Sequence, residues 1–173
     1  MTYIRRLLSL DSILKTRSVF LLGPRQTGKS SYLKNQLTEP ADFVFNLLDQ
    51  KIFFELSQNL TLMRERILET KKKNVLVVID EVQRLPEILN EVHLLIEDFG
   101  VRFILTGSSA RKLKRQGVNL LGGRGRDRIF HPFVYLEVKD HGFDLEKSFE
   151  TGLIPNHFSS DSPKEDLLAY TGR

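Results

Sequence analysis

Eight residues, Gly23-Pro24-Arg25-Gln26-Thr27-Gly28-Lys29-Ser30, constrain this chain more than any other stretch. They follow the pattern G-x-x-x-x-G-K-[ST], a loop that wraps phosphate and is expected between a strand and a helix. Glycines let the backbone close around an anion without Cβ clashes. Successive N–H groups then point inward, and the following helix aims its positive end at the same charge. The pattern assigns Lys29 to the β- and γ-phosphates and the Ser30 hydroxyl to Mg²⁺. The flanks agree: Ser18-Val19-Phe20-Leu21-Leu22 reads as a buried strand, and Leu33 and Leu37, four apart, mark a helix face. The alternative, a glycine turn matching by accident, has neither flank to support it.

The rest of the chain alternates in the same way. A helix is expected over 3–16 from Ile4, Leu7, Leu8 and Leu14, covering a sheet face. A strand follows at 43–47, and two short helices over 49–69 split near Gln58-Asn59. Val75-Leu76-Val77-Val78-Ile79 is uninterrupted apolar sequence, the mark of a strand buried on both faces of a parallel sheet. Pro86 opens a helix with a stripe of Ile88, Val92, Leu95, Ile96 and Phe99, which Gly100 stops. A strand at 102–106, a helix at 109–116, a glycine–arginine loop at 122–126 and a short strand near 128–130 come next. Helices are expected around 134–140, 144–150 and 163–170. Such alternation predicts an α/β fold with a parallel sheet. Gly23, Asp80 and Thr106 all follow strands, so the carboxyl-end face of the sheet collects them.

The 173 residues suffice for one domain with a real core, and 28% charged residues suit a globular chain. No apolar run reaches the roughly 18–20 residues of a membrane span, and Asp11 and Lys15 interrupt any signal-peptide core. Membrane partners are therefore not expected. The chain has no cysteine, which removes disulfides, thiolate zinc sites and cysteine nucleophiles, and fits a reducing cytoplasm. The four histidines lack ligand-like spacing. A net charge of +4 is too mild to signal nucleic acid by itself.

Asp80 ends its apolar strand where a carboxylate holding Mg²⁺ through water belongs, and Glu81 beside it can act as general base on a water aligned with the γ-phosphate. Thr106, with Ser108 second, is the polar residue suited to sense that phosphate, although a plain Thr-Gly-Ser turn reads the same. Arg124 and Arg126 fit an arginine finger, acting in cis or on a neighbouring subunit, or an ordinary basic loop. Residues 111–128 carry seven basic residues and one acidic, Asp127. They suit a nucleic acid or a solvated face. With no Asn-Lys-x-Asp stretch to read guanine, ATP is the expected nucleotide.

The ordered pieces Gly23 to Ser30, Ile79-Asp80-Glu81-Val82-Gln83-Arg84-Leu85-Pro86, Leu105-Thr106-Gly107-Ser108-Ser109, Asn119-Leu120-Leu121-Gly122-Gly123-Arg124, Pro132-Phe133, Gly152-Leu153-Ile154-Pro155 and Leu167-Leu168-Ala169-Tyr170 resemble the bacterial and archaeal AAA-type P-loop ATPases often paired with a poorly characterised C-terminal domain. The resemblance implies a three-layer fold with sheet order 5-1-4-3-2. It puts Lys29 and Ser30 at phosphate and Mg²⁺, Asp80 at Mg²⁺, Glu81 as base, Thr106 at the sensor position and Arg124 at the family's Gly-Arg. Similar proteins continue past Arg173, so the chain resembles an N-terminal fragment, with a core at 1–133 and a partial helical extension at 134–173. Arg126 and Arg128 stand where the family usually has less charge.

Three functions compete. An ATP hydrolase coupled to motion rests on Lys29, Asp80 and Glu81, and an arginine acting in trans would require a homo-oligomer. A nucleotide-gated DNA-binding module with little hydrolysis rests on the basic segment. A small-molecule phosphotransferase is disfavoured by the acid pair, which suits water attack.

Overall fold

A computed structural model describes residues 3–108 and 123–172. They form two compact units that interleave along the chain. One, the sheet unit, comprises Leu10–Leu22 and Thr38–Ile129; the other, the loop unit, comprises Met1–Ser9, Gly23–Leu37 and Phe130–Arg173.

In the sheet unit, β1 (Ser18–Leu22), β2 (Phe43–Asn46), β3 (Leu76–Asp80), β4 (Arg102–Gly107) and β5 (Gly125–Ile129) make one parallel sheet of order β2-β3-β4-β1-β5. This is the expected order 5-1-4-3-2. The registers run Phe45↔Ile79, Ile79↔Leu105 and Leu22↔Gly107, so the ends of β1, β3 and β4 are level. β1 and β3 are buried along their whole length, as their unbroken apolar runs require.

One sheet face contributes Phe20, Leu22, Val77, Ile79, Phe103 and Leu105 to the core. Against them pack Leu56 of α3 (Gln50–Gln58), Met63 and Ile67 of α4 (Thr61–Glu69), and Ile88, Val92 and Leu95 of α5 (Ile88–Phe99). Each such side chain stabilises the fold by about 1.5–3 kcal/mol through burial. Asp49 caps α3 by accepting from Lys51 N at 2.8 Å. Gly100, at φ 64°, ends α5 in the left-handed conformation that lets Val101 N reach Leu95 O at 3.1 Å. Phe99, the last residue of the apolar stripe, is 49% exposed.

Two expectations are corrected. The helix over 3–16 shrinks to α1 (Asp11–Leu14). Ahead of it the backbone bonds side chains instead of its own turns: Arg6 N donates to Gln36 Oε1 at 2.7 Å, Arg6 O accepts from Gln36 Nε2 at 2.6 Å, and Leu7 N donates to Glu137 Oε1 at 2.8 Å. The final strand is longer than expected and takes in Gly125 and Arg126 from the expected glycine–arginine loop. β5 is an edge strand with the polar sequence Gly-Arg-Asp-Arg-Ile, so it carries little apolar signal. The helix expected at 109–116 lies outside the described residues.

The loop unit holds α2 (Lys29–Asn35) and a helical tail of α6 (Tyr135–Val138), α7 (Leu145–Thr151), α8 (Pro155–Phe158) and α9 (Pro163–Thr171). α8, which the sequence pattern does not predict, is a single turn opened by proline at its first position. Ring contacts between Tyr32 and Phe130 (5.2 Å) and between Phe133 and Phe158 (5.7 Å) tie α2 and the tail into one core. Among the described residues, no helix is long and apolar enough to cross a membrane.

Candidate functional site

Residues 23–28 leave β1 as a tight loop. A Cβ on Gly23 would lie 2.1 Å from the Phe130 carbonyl oxygen, so glycine alone fits there. Gln26 (φ 61°) and Gly28 (φ 87°) adopt left-handed backbone on either side of Thr27. Alternation of hand makes successive N–H groups converge on one point, a geometry that binds anions. Thr27, fully buried, donates its hydroxyl to Pro24 O at 2.9 Å. The Lys29 ammonium is also buried and donates to Gly23 O at 2.7 Å and Pro24 O at 2.8 Å. The loop is thus folded around its own cation. Pro24, Arg25, Gln26 and Ser30 are exposed.

Arg6 reinforces the loop from the N-terminal segment. Its Nη1 donates to Thr27 O at 2.9 Å, its Nη2 to His131 O at 2.6 Å, and its Nε to Glu137 Oε2 at 3.0 Å. Its guanidinium lies 4.2 Å from the Phe130 ring centroid. A cavity of about 370 Å³ opens beside Thr27 and Gly28, with Ile4, Phe133 and Pro155 as apolar wall and Tyr3 and Asn156 as polar rim. Burial pushes the Tyr3 hydroxyl above its ordinary pKa, and that hydroxyl donates to Gln36 Oε1 at 2.9 Å. Arg6 and this cavity have no signature in the sequence, since their residues are scattered along the chain without a motif.

In the sheet unit, Asp80, Glu81, Thr106 and Ser108 come together at the level ends of β3 and β4. Asp80 and Thr106 are buried. The Thr106 hydroxyl donates to Asp80 Oδ1 and accepts from Glu81 N at 3.2 Å. Its one proton is therefore engaged by Asp80, so contacting a phosphate with that proton, as a sensor would, means releasing the acid. Glu81 sits at φ 59°, ψ 46°, a left-handed conformation that costs a non-glycine residue about 1–2 kcal/mol. Its carboxylate accepts from Gln83 Nε2, and Gln83 Nε2 also lies 3.3 Å from Ser108 Oγ.

Arg124 is engaged elsewhere in the same unit, donating its Nε to Glu97 in the last turn of α5. That hydrogen bond holds the Glu97 carboxyl below its usual range and raises Arg124 above its own. Arg126 and Arg128 lie on β5 opposite Val19 and Leu21, and Arg128 Nη1 donates to Asp127 O at 2.9 Å. Most of the basic segment, residues 111–122, lies outside the described residues.

The donor set fits the groups it would hold. In the loop unit, backbone N–H groups and a buried ammonium suit phosphate; in the sheet unit, a buried carboxylate suits Mg²⁺, which takes few protein ligands beside substrate oxygens. Among the described residues, no cluster of three or more His, Asp and Glu side chains could cage a metal by itself.

A five-stranded parallel sheet of this order, with a glycine–lysine loop after β1 and an acid pair after β3, defines an α/β P-loop NTPase. The family model described as AAA domain matches residues 15–139, and the chain belongs to that family. It is thus a nucleotide-binding domain of ATPase type. No curated protein sequence matches the chain significantly.

Proposed function

We infer that the chain binds Mg-ATP and hydrolyses it to drive a conformational change. The observation that carries this reading is the unequal treatment of two adjacent carboxylates. Asp80 is buried and accepts a hydrogen bond from the Thr106 hydroxyl, whereas Glu81 is half-buried and has a left-handed backbone. Acids whose surroundings differ this way take different roles.

On this reading Lys29 neutralises the terminal phosphates, and the loop N–H groups from Gly23 to Ser30 orient them. Ser30 and Asp80 are the oxygen donors assigned to magnesium, which when bound withdraws charge from the phosphate oxygens. Glu81 accepts a proton from water as the water oxygen bonds the γ-phosphorus. The bond to the bridging oxygen breaks, and its electron pair leaves on ADP. Tyr3, Ile4, Phe133 and Pro155 receive the adenine in the cavity beside Gly28. Residues 1–133 then form the catalytic core and 134–173 a helical extension.

The test is Glu81→Gln. Mg²⁺-dependent phosphate release should fall by about 10²–10⁴-fold while calorimetric ATP binding persists, and Lys29→Ala should lose the binding. Wild-type turnover in Glu81→Gln overturns the assignment.

A further inference from the structure

We propose that Gln83 is a positioning residue for the hydrolytic water, acting through Glu81. This rests on the reading of Glu81 as general base and names what aims it.

A carboxylate only accepts hydrogen bonds, so the end of the Gln83 amide that meets Glu81 Oε2 is the NH₂ end. The orientation of the amide is thereby set. The same nitrogen reaches toward Ser108 Oγ, which ties the pair to the segment after β4. The opposite end, Oε1, is buried and has no donor among the described residues. A buried carbonyl oxygen with no donor is costly unless a ligand or water supplies one. Gly107 makes the room for it: a Cβ there would lie 2.7 Å from Gln83 Oε1, although the Gly107 backbone itself is not left-handed.

The two ends of the Gln83 amide thus have separate tasks: Nε2 holds the Glu81 carboxylate that accepts the water proton, and Oε1 is buried beside Gly107, which fixes where the amide can sit. Gln83 Nε2 keeps the carboxylate from rotating out of line. Gln83 itself gains and loses no proton.

The experiment compares steady-state ATP turnover and calorimetric Mg-ATP binding in Gln83→Met, an apolar side chain of similar length, and in Gly107→Ala. Each variant should lower kcat by about 10- to 100-fold, as expected when a reacting group is misaligned, with Kd for Mg-ATP and the urea midpoint unchanged. In Gln83→Met/Gly107→Ala the two losses should not add, because Gly107→Ala acts by displacing the amide. Wild-type kcat in Gln83→Met, or fully additive losses, overturns the role of Gln83. A loss of kcat in Gln83→Met that accompanies an equal loss of Kd or of stability marks a structural role and overturns it too. If Glu81→Gln turns over at the wild-type rate, it is the assignment of Glu81 as base that fails, and the two failures are told apart.

Discussion

Arg6 and Glu137, 131 positions apart in sequence, form an ion pair at 3.0 Å with both side chains almost wholly buried. Its remaining polar atoms are satisfied as well. Arg6 also serves Thr27, His131 and Pro132 carbonyls, and Glu137 accepts from Leu7 N at 2.8 Å and Val134 N at 3.1 Å. The pair therefore joins the N-terminal segment, the phosphate loop and α6.

Removing one partner of such a pair leaves the other charged and buried. Arg6→Ala and Glu137→Ala should each cost about 3–5 kcal/mol in urea unfolding. Arg6→Met/Glu137→Leu should recover much of that loss, because no uncompensated charge is left behind. Equal destabilisation in the double variant would show that the backbone contacts, rather than the charges, carry the effect.

The two loop glycines are required for different reasons, and their substitutions should differ in severity. Gly28→Ala places a side chain at φ 87°, a penalty of about 1–2 kcal/mol in thermal or urea unfolding. Gly23→Ala drives a Cβ into the Phe130 carbonyl at 2.1 Å, a backbone atom that cannot swing aside. It should be the more damaging change and should abolish nucleotide binding in calorimetry.

If the cavity beside Gly28 holds the base, filling it should separate base recognition from phosphate recognition. Asn156→Trp should weaken ATP by about tenfold or more, equivalent to 1.4 kcal/mol, and leave inorganic tripolyphosphate binding unchanged. Parallel loss of both ligands would exclude the cavity as the base site.

Asp42 supplies an acid-side pH dependence. Burial alone would raise its pKa, but the Lys72 ammonium and the Leu76 N–H at 2.9 Å outweigh burial and hold it below the ordinary value. A depressed carboxylate stabilises the fold above its unfolded pKa, about 3.9, and loses that contribution as pH falls through the still lower folded pKa. Asp42→Asn should flatten the decline of urea midpoint below about pH 5. Lys72 is half exposed, so the effect should shrink in high salt.

Glu97 holds Arg124 through its Nε, so a transferring phosphoryl group would compete with Glu97 for the same guanidinium. If it acts as a finger across subunits, turnover per chain should rise with protein concentration, Arg124→Ala should remove that rise, and Glu97→Gln should enhance it. Turnover independent of concentration and of Arg124 would leave it a surface ion pair.

What the residues announced by themselves were the features that local physics dictates. The glycine loop is legible because few other residues can follow its backbone, and β1 and β3 because a strand buried on both faces must be apolar throughout. Gly100 marked the end of α5 for the same conformational reason. Tertiary structure alone decided the rest. The segment at 3–10 has a helical pattern, yet Gln36 and Glu137 take its backbone hydrogen bonds. The polar β5 is a strand because β1 offers it a free edge. Arg6 and Glu137, or Gln83 and Gly107, acquire their roles through contacts between distant positions, and a long-range contact leaves no period in the chain that forms it.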